Sequence, residues 1–244
     1  TSDRSGKRAH VSADRVAALD WAGIEAAIEA QGFALTPPLL TPADCAALID
    51  LYSDDTAFRS RIVMARHAFG EGDYGYFADP LPPLVTELRE AFYAHLAPIA
   101  NRMAAAMRRE ASYPADLATY RKACAGAGQT KPTPLLLRYG LGGYNRLHRD
   151  LYGDLAFPIQ ATAMLSQPGE DFTGGQFLLV ENRPRQQAIG TAVDIPQGAF
   201  ILFPTNERPV QGSRSILRAS MRHGVSRVLS GERYTLGVIF HDAA

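Results

Sequence analysis

The chain has 244 residues, 46% hydrophobic and 20% charged, with 25 basic side chains balancing 25 acidic ones. That length suits one domain with a core large enough to need no cross-links, and zero net charge argues against a strongly basic nucleic-acid binder. No apolar run approaches the ~20 residues of a membrane span, the polar start Thr1–Arg8 lacks the apolar stretch of a secretory signal, and Cys45 and Cys124 have no metal-site spacing, so a cytoplasmic protein with reduced thiols and no membrane partner is expected.

Residues 1–14 read as a polar tail and 15–131 as a mainly helical portion. Val16, Leu19, Ile24, Ala27 and Ile28 recur at helical spacing and predict a helix over 16–30 that ends at Gly32. Gly32–Leu35 then reads as a short strand. Thr41 before Pro42, with Asp44 three residues on, is an N-terminal signature; it opens a helix whose apolar face is Cys45, Leu48, Ile49 and Tyr52. Leu84–Arg109 predicts a long helix that Pro98 kinks or splits. Between these helices, Phe69–Phe77 mixes three glycines with four aromatics. It reads either as a flexible covering loop or as a tight turn between two strands. Residues 123–129 read as a helix end and a turn.

From Pro132 the texture changes. Leu135–Tyr139, Ile159–Leu165, Gln176–Val180, Ala199–Phe203, Val225–Leu229 and Tyr234–Phe240 are strand-like, separated by Gly/Pro turns. Helices followed by many short strands imply an α+β protein. Residues 132–244 would form a double-sheet barrel or jelly roll, with the helical portion packed on it in one structural domain.

Four residues in the strand-rich half carry chemistry. His148 and Asp150 sit at i and i+2, so on a strand both side chains project from one face. His223 supplies a second imidazole from far downstream. Two imidazoles and a carboxylate make a facial triad that leaves coordination positions open on a ferrous ion. Arg233 follows His223 by ten residues in a strand-like run, where a guanidinium could clamp a dicarboxylate with two parallel hydrogen bonds. Arginine outnumbers lysine 22 to 3, so the cluster Arg208, Arg214, Arg218, Arg222 and Arg227 reads two ways. It is a solvated face of an arginine-rich chain, or a rim that contacts phosphates.

The ordered set of His-x-Asp, a Gly-Gly strand (Gly174-Gly175), a Pro-x-Gly strand (Pro196-Gln197-Gly198), then His and Arg ten apart resembles the iron(II)/2-oxoglutarate-dependent dioxygenases on the double-stranded β-helix fold. Further segments extend the resemblance over roughly residues 15–244. They include Arg61–Met64 with Phe69–Gly72, Asn145–Gly153, Arg183-Pro184-Arg185, Arg222–Arg227 and Ile239–Asp242. Together these are similar to a bacterial group of that superfamily described as oxygenases acting on damaged DNA, related in chemistry to the AlkB dealkylases. The resemblance implies that His148, Asp150 and His223 hold Fe(II) and that Arg233 pairs with the distal carboxylate of 2-oxoglutarate. Tyr139, nine residues before His148, matches a cosubstrate-binding tyrosine in AlkB-type enzymes; read alone, it is a core aromatic. Thr235 shares a strand face with Arg233 and could add a hydrogen bond. Two positions depart from the AlkB pattern: Leu137 replaces an asparagine, and Ile239 replaces a second arginine. The contacts to the chelating end of the cosubstrate therefore do not carry over.

The implied cofactors are Fe(II), 2-oxoglutarate and O2, with ascorbate as a reductant. The implied reaction is hydroxylation of a substrate C–H with decarboxylation of 2-oxoglutarate to succinate. Asp150 argues for hydroxylation, since a halogenase would vacate that position for chloride. Alkylated DNA is the implied substrate, and no protein partner is implied. A prolyl-type protein hydroxylase or a small-molecule hydroxylase is the alternative, favoured by zero net charge. Tyr76, Asn145, Arg149, Asp154, Arg183, Arg214 and Arg218 are candidate substrate contacts. His241 and Asp242 read as a surface terminus or as a pair orienting the ligands. His67 and His95 read as structural or exposed.

Overall fold

A computed structural model describes residues 13–213 and 215–244. Arg214 and nearly all of the expected tail lie outside the described residues. Beyond a helical turn at 13–17 and three short 3-10 helices, four longer helices and fifteen strands organise the described residues. The helix expected over 16–30 is interrupted at 18–20. There the Asp20 side chain accepts from the Gly23 N–H at 3.0 Å and caps a new helix, α1 (Trp21–Gln31). Gly32 ends α1 in the left-handed conformation, φ 85°. In α2 (Pro42–Asp50) the Thr41 hydroxyl accepts from the Asp44 N–H, while the Asp44 carboxylate accepts from the Thr41 N–H. The long helix α3 (Pro83–Ala106) runs through Pro98 without splitting. Pro98 lies on the exposed side, as does Ala94, whose carbonyl loses its partner and can turn to water. Asp116 caps α4 (Leu117–Gly126).

The strands are β1 (Ala34–Leu35), β2 (Phe58–Val63), β3 (Gly70–Glu71), β4 (Asp73–Phe77), β5 (Leu135–Tyr139), β6 (Tyr144–His148), β7 (Ile159–Met164), β8 (Phe172–Gly174), β9 (Phe177–Asn182), β10 (Ile189–Val193), β11 (Phe200–Pro204), β12 (Glu207–Gln211), β13 (Ile216–Val225), β14 (Val228–Gly231) and β15 (Arg233–Val238). The run 69–77 adopts the strand alternative, because β4 pairs with β2 and β5. The strand expected over 225–229 is corrected: Val225 ends the ten-residue β13, and β14 begins a separate ribbon with β8.

Two antiparallel sheets face each other. The larger is ordered β1-β11-β7-β15-β5-β4-β2 and the smaller β10-β9-β13-β6-β3, with β12 added beside β13. Alternation along the strands makes two apolar layers. Leu136, Ala161, Ala163, Leu202, Leu236 and Val238 face outward from the larger sheet and share a core with Val85, Leu88, Phe92 and Leu96 of α3. Tyr139, Met164, Ile201 and Phe203 face inward and meet Phe177, Leu179, Met221 and Val225 of the smaller sheet. Each buried Leu or Phe contributes roughly 1.5–3 kcal/mol. The result is a double-stranded β-helix with helices on one side, as expected.

Candidate active site between the two sheets

His148 ends β6, and its direct cross-strand neighbour on β13 is His223. Side chains so paired lie on one face, and the two ring centroids are 4.3 Å apart. A bulge between His223 and Val225 separates that pair from the Val225–Asn145 pair. Bulges of this kind re-aim side chains near functional sites. Gly224 makes it possible: a Cβ there would lie 2.7 Å from the Asn145 carbonyl oxygen.

Asp150 follows just past the end of β6. One carboxylate oxygen is 3.5 Å from His148 Nε2, and the other is 3.3 Å from His223 Nε2. The three ligand atoms all lie within 4.8 Å of one another. Bonds of roughly 2.1 Å to a divalent metal, set at right angles, place donor atoms about 3 Å apart. The set therefore fits one ion held on one face, with the opposite face open. The partner of His148 Nδ1 is the Arg146 carbonyl at 2.7 Å, so Nδ1 carries the proton and Nε2 presents its lone pair to the ion.

The charges agree with this arrangement. Burial alone would raise the Asp150 carboxyl, but hydrogen bonds and charge from both histidines hold it well below the usual carboxylate range. Burial opposes protonation of His148, yet its hydrogen bond to Asp150 and that group's charge push it up on balance. His223 is pulled down by burial and by His148. Tyr152 donates to Asp150 Oδ1 at 2.7 Å, and burial with the Asp150 charge keeps this phenol protonated.

A cavity of about 380 Å³ opens beside the triad, within the range of small-ligand sites. Arg233, at the start of β15, lines it and is fully buried. Nε, Nη1 and Nη2 all lack a hydrogen-bond partner. Burial lowers its pKa to about 10, so it remains a cation at neutral pH. Its guanidinium carbon stands 5.4 Å from the Tyr139 ring centroid and 6.0 Å from that of Phe172. Gly175 cedes the space for it: a Cβ there would meet Arg233 Cδ at 2.8 Å. An isolated buried cation is several kcal/mol unfavourable, and an entering carboxylate would relieve that. Tyr139 is Arg233's cross-strand partner. Its hydroxyl accepts from Asn145 Nδ2 at 3.2 Å and keeps its own proton to donate. Thr235 lines the cavity two residues along the same face.

Tyr76, Asn145 and Arg149 also line the cavity. Arg149 donates to the Met221 carbonyl at 3.0 Å and to Ser220. Asp154, Arg183 and Arg218 do not line it: Asp154 is exposed, Arg183 pairs with Glu181, and Arg218 reaches the Met107 carbonyl at 2.7 Å. The phosphate-rim reading fails at Arg208. That side chain is 1% exposed, paired with Glu181 and bonded to the α1 carbonyls of Ile28 and Glu29. The surface-terminus reading of His241 and Asp242 is likewise corrected. Both are buried; Asp242 pairs with Arg89 at 2.7 Å and Arg121 at 2.9 Å, and His241 Nδ1 accepts from the Phe157 N–H. His95 stacks on Trp21 and His67 on Phe69. Sequence reasoning missed Tyr152, although its i+2 spacing from Asp150 was the available signal, and Gln160, which gave none.

A model of the Oxygenase-NA family, described as "Oxygenase, catalysing oxidative methylation of damaged DNA", matches residues 72–243. The chain is 49% identical over 168 residues to the uncharacterized protein MT2286 of Mycobacterium tuberculosis (strain CDC 1551 / Oshkosh), covering 69% of this chain and 72% of that one. In structure it is similar to a Pseudomonas putida prolyl-4-hydroxylase, with TM-score 0.54, 13% identity, and 92% and 100% of the two chains covered. It is equally similar to an oxidoreductase of the 2OG-Fe(II) oxygenase family from Burkholderia pseudomallei, with TM-score 0.54, 14% identity, and 93% and 94% covered. These two likenesses concern the fold. Fe(II), 2-oxoglutarate and O2 are the cofactors that the donor set and the unpaired buried Arg233 fit. The chain belongs to the Oxygenase-NA family.

Proposed function

We propose that this dioxygenase hydroxylates the alkyl group of a damaged DNA base. In this reading His148, Asp150 and His223 hold Fe(II), and Arg233 with Tyr139 holds the distal carboxylate of 2-oxoglutarate. What carries the reading is one observation: three metal donors and an unpaired buried guanidinium face the same cavity. When bound, the iron with 2-oxoglutarate and O2 supplies an oxidant that inserts oxygen into a substrate C–H, with release of succinate and CO2. The protein's own part is positional. Arg146 O fixes the His148 tautomer, Tyr152 orients Asp150, and the apolar walls Leu135, Leu137, Phe177 and Ile239 exclude water. A hydroxylated N-methyl group then loses formaldehyde and leaves the N–H of the restored base.

The DNA substrate rests on the family description and on the cavity mouth. Phe69, 47% exposed, lines the cavity with the exposed Arg146 and Arg149. An aromatic face beside two cations suits a base extruded from its stack and the phosphate next to it. Zero net charge favours the second reading, a protein hydroxylase of prolyl type. One assay separates them. Iron-dependent succinate production should accompany formaldehyde release on methylated DNA but not on unmethylated DNA, and both should fall to background in His148→Ala and Asp150→Ala. Succinate formed with a prolyl peptide, and no formaldehyde from methylated DNA, would transfer the assignment to the second reading.

A further inference from the structure

The cavity floor is the inner face of the larger sheet, where Leu135, Leu137 and Ile239 form an apolar stretch. Gln160 of β7 interrupts that surface. It is 3% exposed, it lines the cavity, and its Nε2 has no hydrogen-bond partner. Apart from the triad, two side chains lining this cavity bury N–H donors with nothing to receive them: Arg233 and Gln160. Arg233 already has a role at one end of the floor. Gln160 stands toward the other. One step beyond the Val238–Ala161 pair, it reaches the level of Ile239, six residues along from Arg233. Its cross-strand neighbour on β11 is Phe203, whose ring centroid is 4.8 Å from that of His223. Gln160 is thus the neighbour of a ring packed against His223, at a level of the sheet well along from Arg233.

We propose that Gln160 is a binding residue for the 2-oxo acid end of 2-oxoglutarate, its amide donating a hydrogen bond to the C1 carboxylate beside the metal. The inference rests on the placement of iron at the triad and of the distal carboxylate at Arg233. Leu135 and Ile239, the apolar floor residues nearest Gln160 along the sheet, offer no donor. A carboxylate that chelates a divalent ion has its charge largely offset, so a neutral amide suffices where the distal carboxylate needs a cation. The side-chain amide turns by 180° to present either atom, and a carboxylate selects the NH2. A buried amide left unbonded destabilises the unliganded protein, so the cosubstrate would relieve at Gln160 the same kind of deficit that it relieves at Arg233.

The test uses the intact protein loaded with Co(II) in place of iron, titrated with 2-oxoglutarate by calorimetry. Gln160→Leu should weaken 2-oxoglutarate binding about tenfold, with Co(II) affinity unchanged and the unliganded melting temperature no lower. Gln160→Met, closer in shape, gives the same comparison if the leucine packs poorly. Gln160→Glu should weaken binding further through like-charge repulsion. Pyruvate, which keeps the 2-oxo acid end and lacks the distal carboxylate, should lose affinity in Gln160→Leu and not in Arg233→Leu. The anaerobic Fe(II) complex should show a shifted visible charge-transfer band in the Gln160 variants. Unchanged 2-oxoglutarate affinity in Gln160→Leu and Gln160→Met, beside a wild type that binds, would overturn the role of Gln160 alone. A wild type that binds no 2-oxoglutarate would overturn the placement at the triad and Gln160's role with it.

Discussion

A guanidinium stripped of water and given no counter-charge is tolerated only if something outside the chain supplies the charge. Arg233 is in that state, with three N–H-bearing nitrogens unpartnered and the side chain fully buried. Two opposite effects of one substitution follow. Arg233→Leu should leave the unliganded protein no less stable, and by about 1–3 kcal/mol more stable, because a buried unpaired charge is removed. The same change should weaken 2-oxoglutarate about 100-fold, the scale expected when one member of a buried charge pair is truncated. Urea unfolding and ligand titration read the two effects; a destabilised variant that still binds 2-oxoglutarate would refute both. At this scale the sequence was legible where chemistry restricts residue type. Two imidazoles, a carboxylate and an arginine are recognisable by spacing, and the structure gathers all four around one cavity. Gln160 was not legible, because a glutamine in a strand is unremarkable until its burial and lack of a partner are known.

Elements explain why the histidines meet. His148 and His223 are direct neighbours across β6 and β13, and the bulge beside them depends on Gly224. Gly224→Ala would press a methyl group onto the β6 backbone and move the two ligands apart. Co(II) affinity should fall roughly tenfold or more with the fold retained, as the circular dichroism spectrum would report. A second element-scale device is Arg208, which leaves β12 to bind the last carbonyls of α1 and the Glu181 carboxylate of β9. It joins a positive charge to a helix C-terminus while neutralising a buried acid. Arg208→Met would leave Glu181 with Arg183 alone and the α1 carbonyls without their guanidinium, and unfold the protein at lower denaturant, by about 3 kcal/mol, without touching the cavity. β12 itself escaped the sequence reading because Glu207, Arg208 and Pro209 are poor strand formers. It is tolerated as an outer strand paired only with β13, where Pro209 gives up a hydrogen bond that no neighbour needs. β2 escaped for a related reason: Arg59 and Arg61 interrupt its apolar pattern, and their guanidinium groups instead lie over the rings of Tyr76, Tyr52 and Phe58.

For the whole molecule, the division into a helical first half and a strand-rich second half is only partly a division in space. β1, β2 and β4 come from the first 77 residues and join the same sheet as β5, β7, β11 and β15. Since both ends of that sheet border the cavity or its supporting core, ligand binding should be felt globally. With Co(II) present, 2-oxoglutarate at a hundred times its dissociation constant should add about 2.7 kcal/mol of stability, raising the melting temperature by roughly 5–10 °C for a chain of this size. Arg233→Leu should abolish most of that rise, and a shift of full size in the variant would contradict the proposed cosubstrate site. The order of the strands has a consequence of another kind, in time. β15 lies between β5 and β7, yet it follows every other strand of the sheet in the chain. While the ribosome has not yet released residues 233–238, the sheet is two unjoined halves with a vacant slot at its centre. The outer apolar layer has no Leu236 or Val238, and the cavity floor lacks Arg233, Thr235 and Gly237. Assembly must wait for that strand to arrive and fill the gap. Such non-local closure is slow and leaves unpaired edges exposed meanwhile, so this is a protein whose nascent chain needs protection until nearly its last strand has emerged.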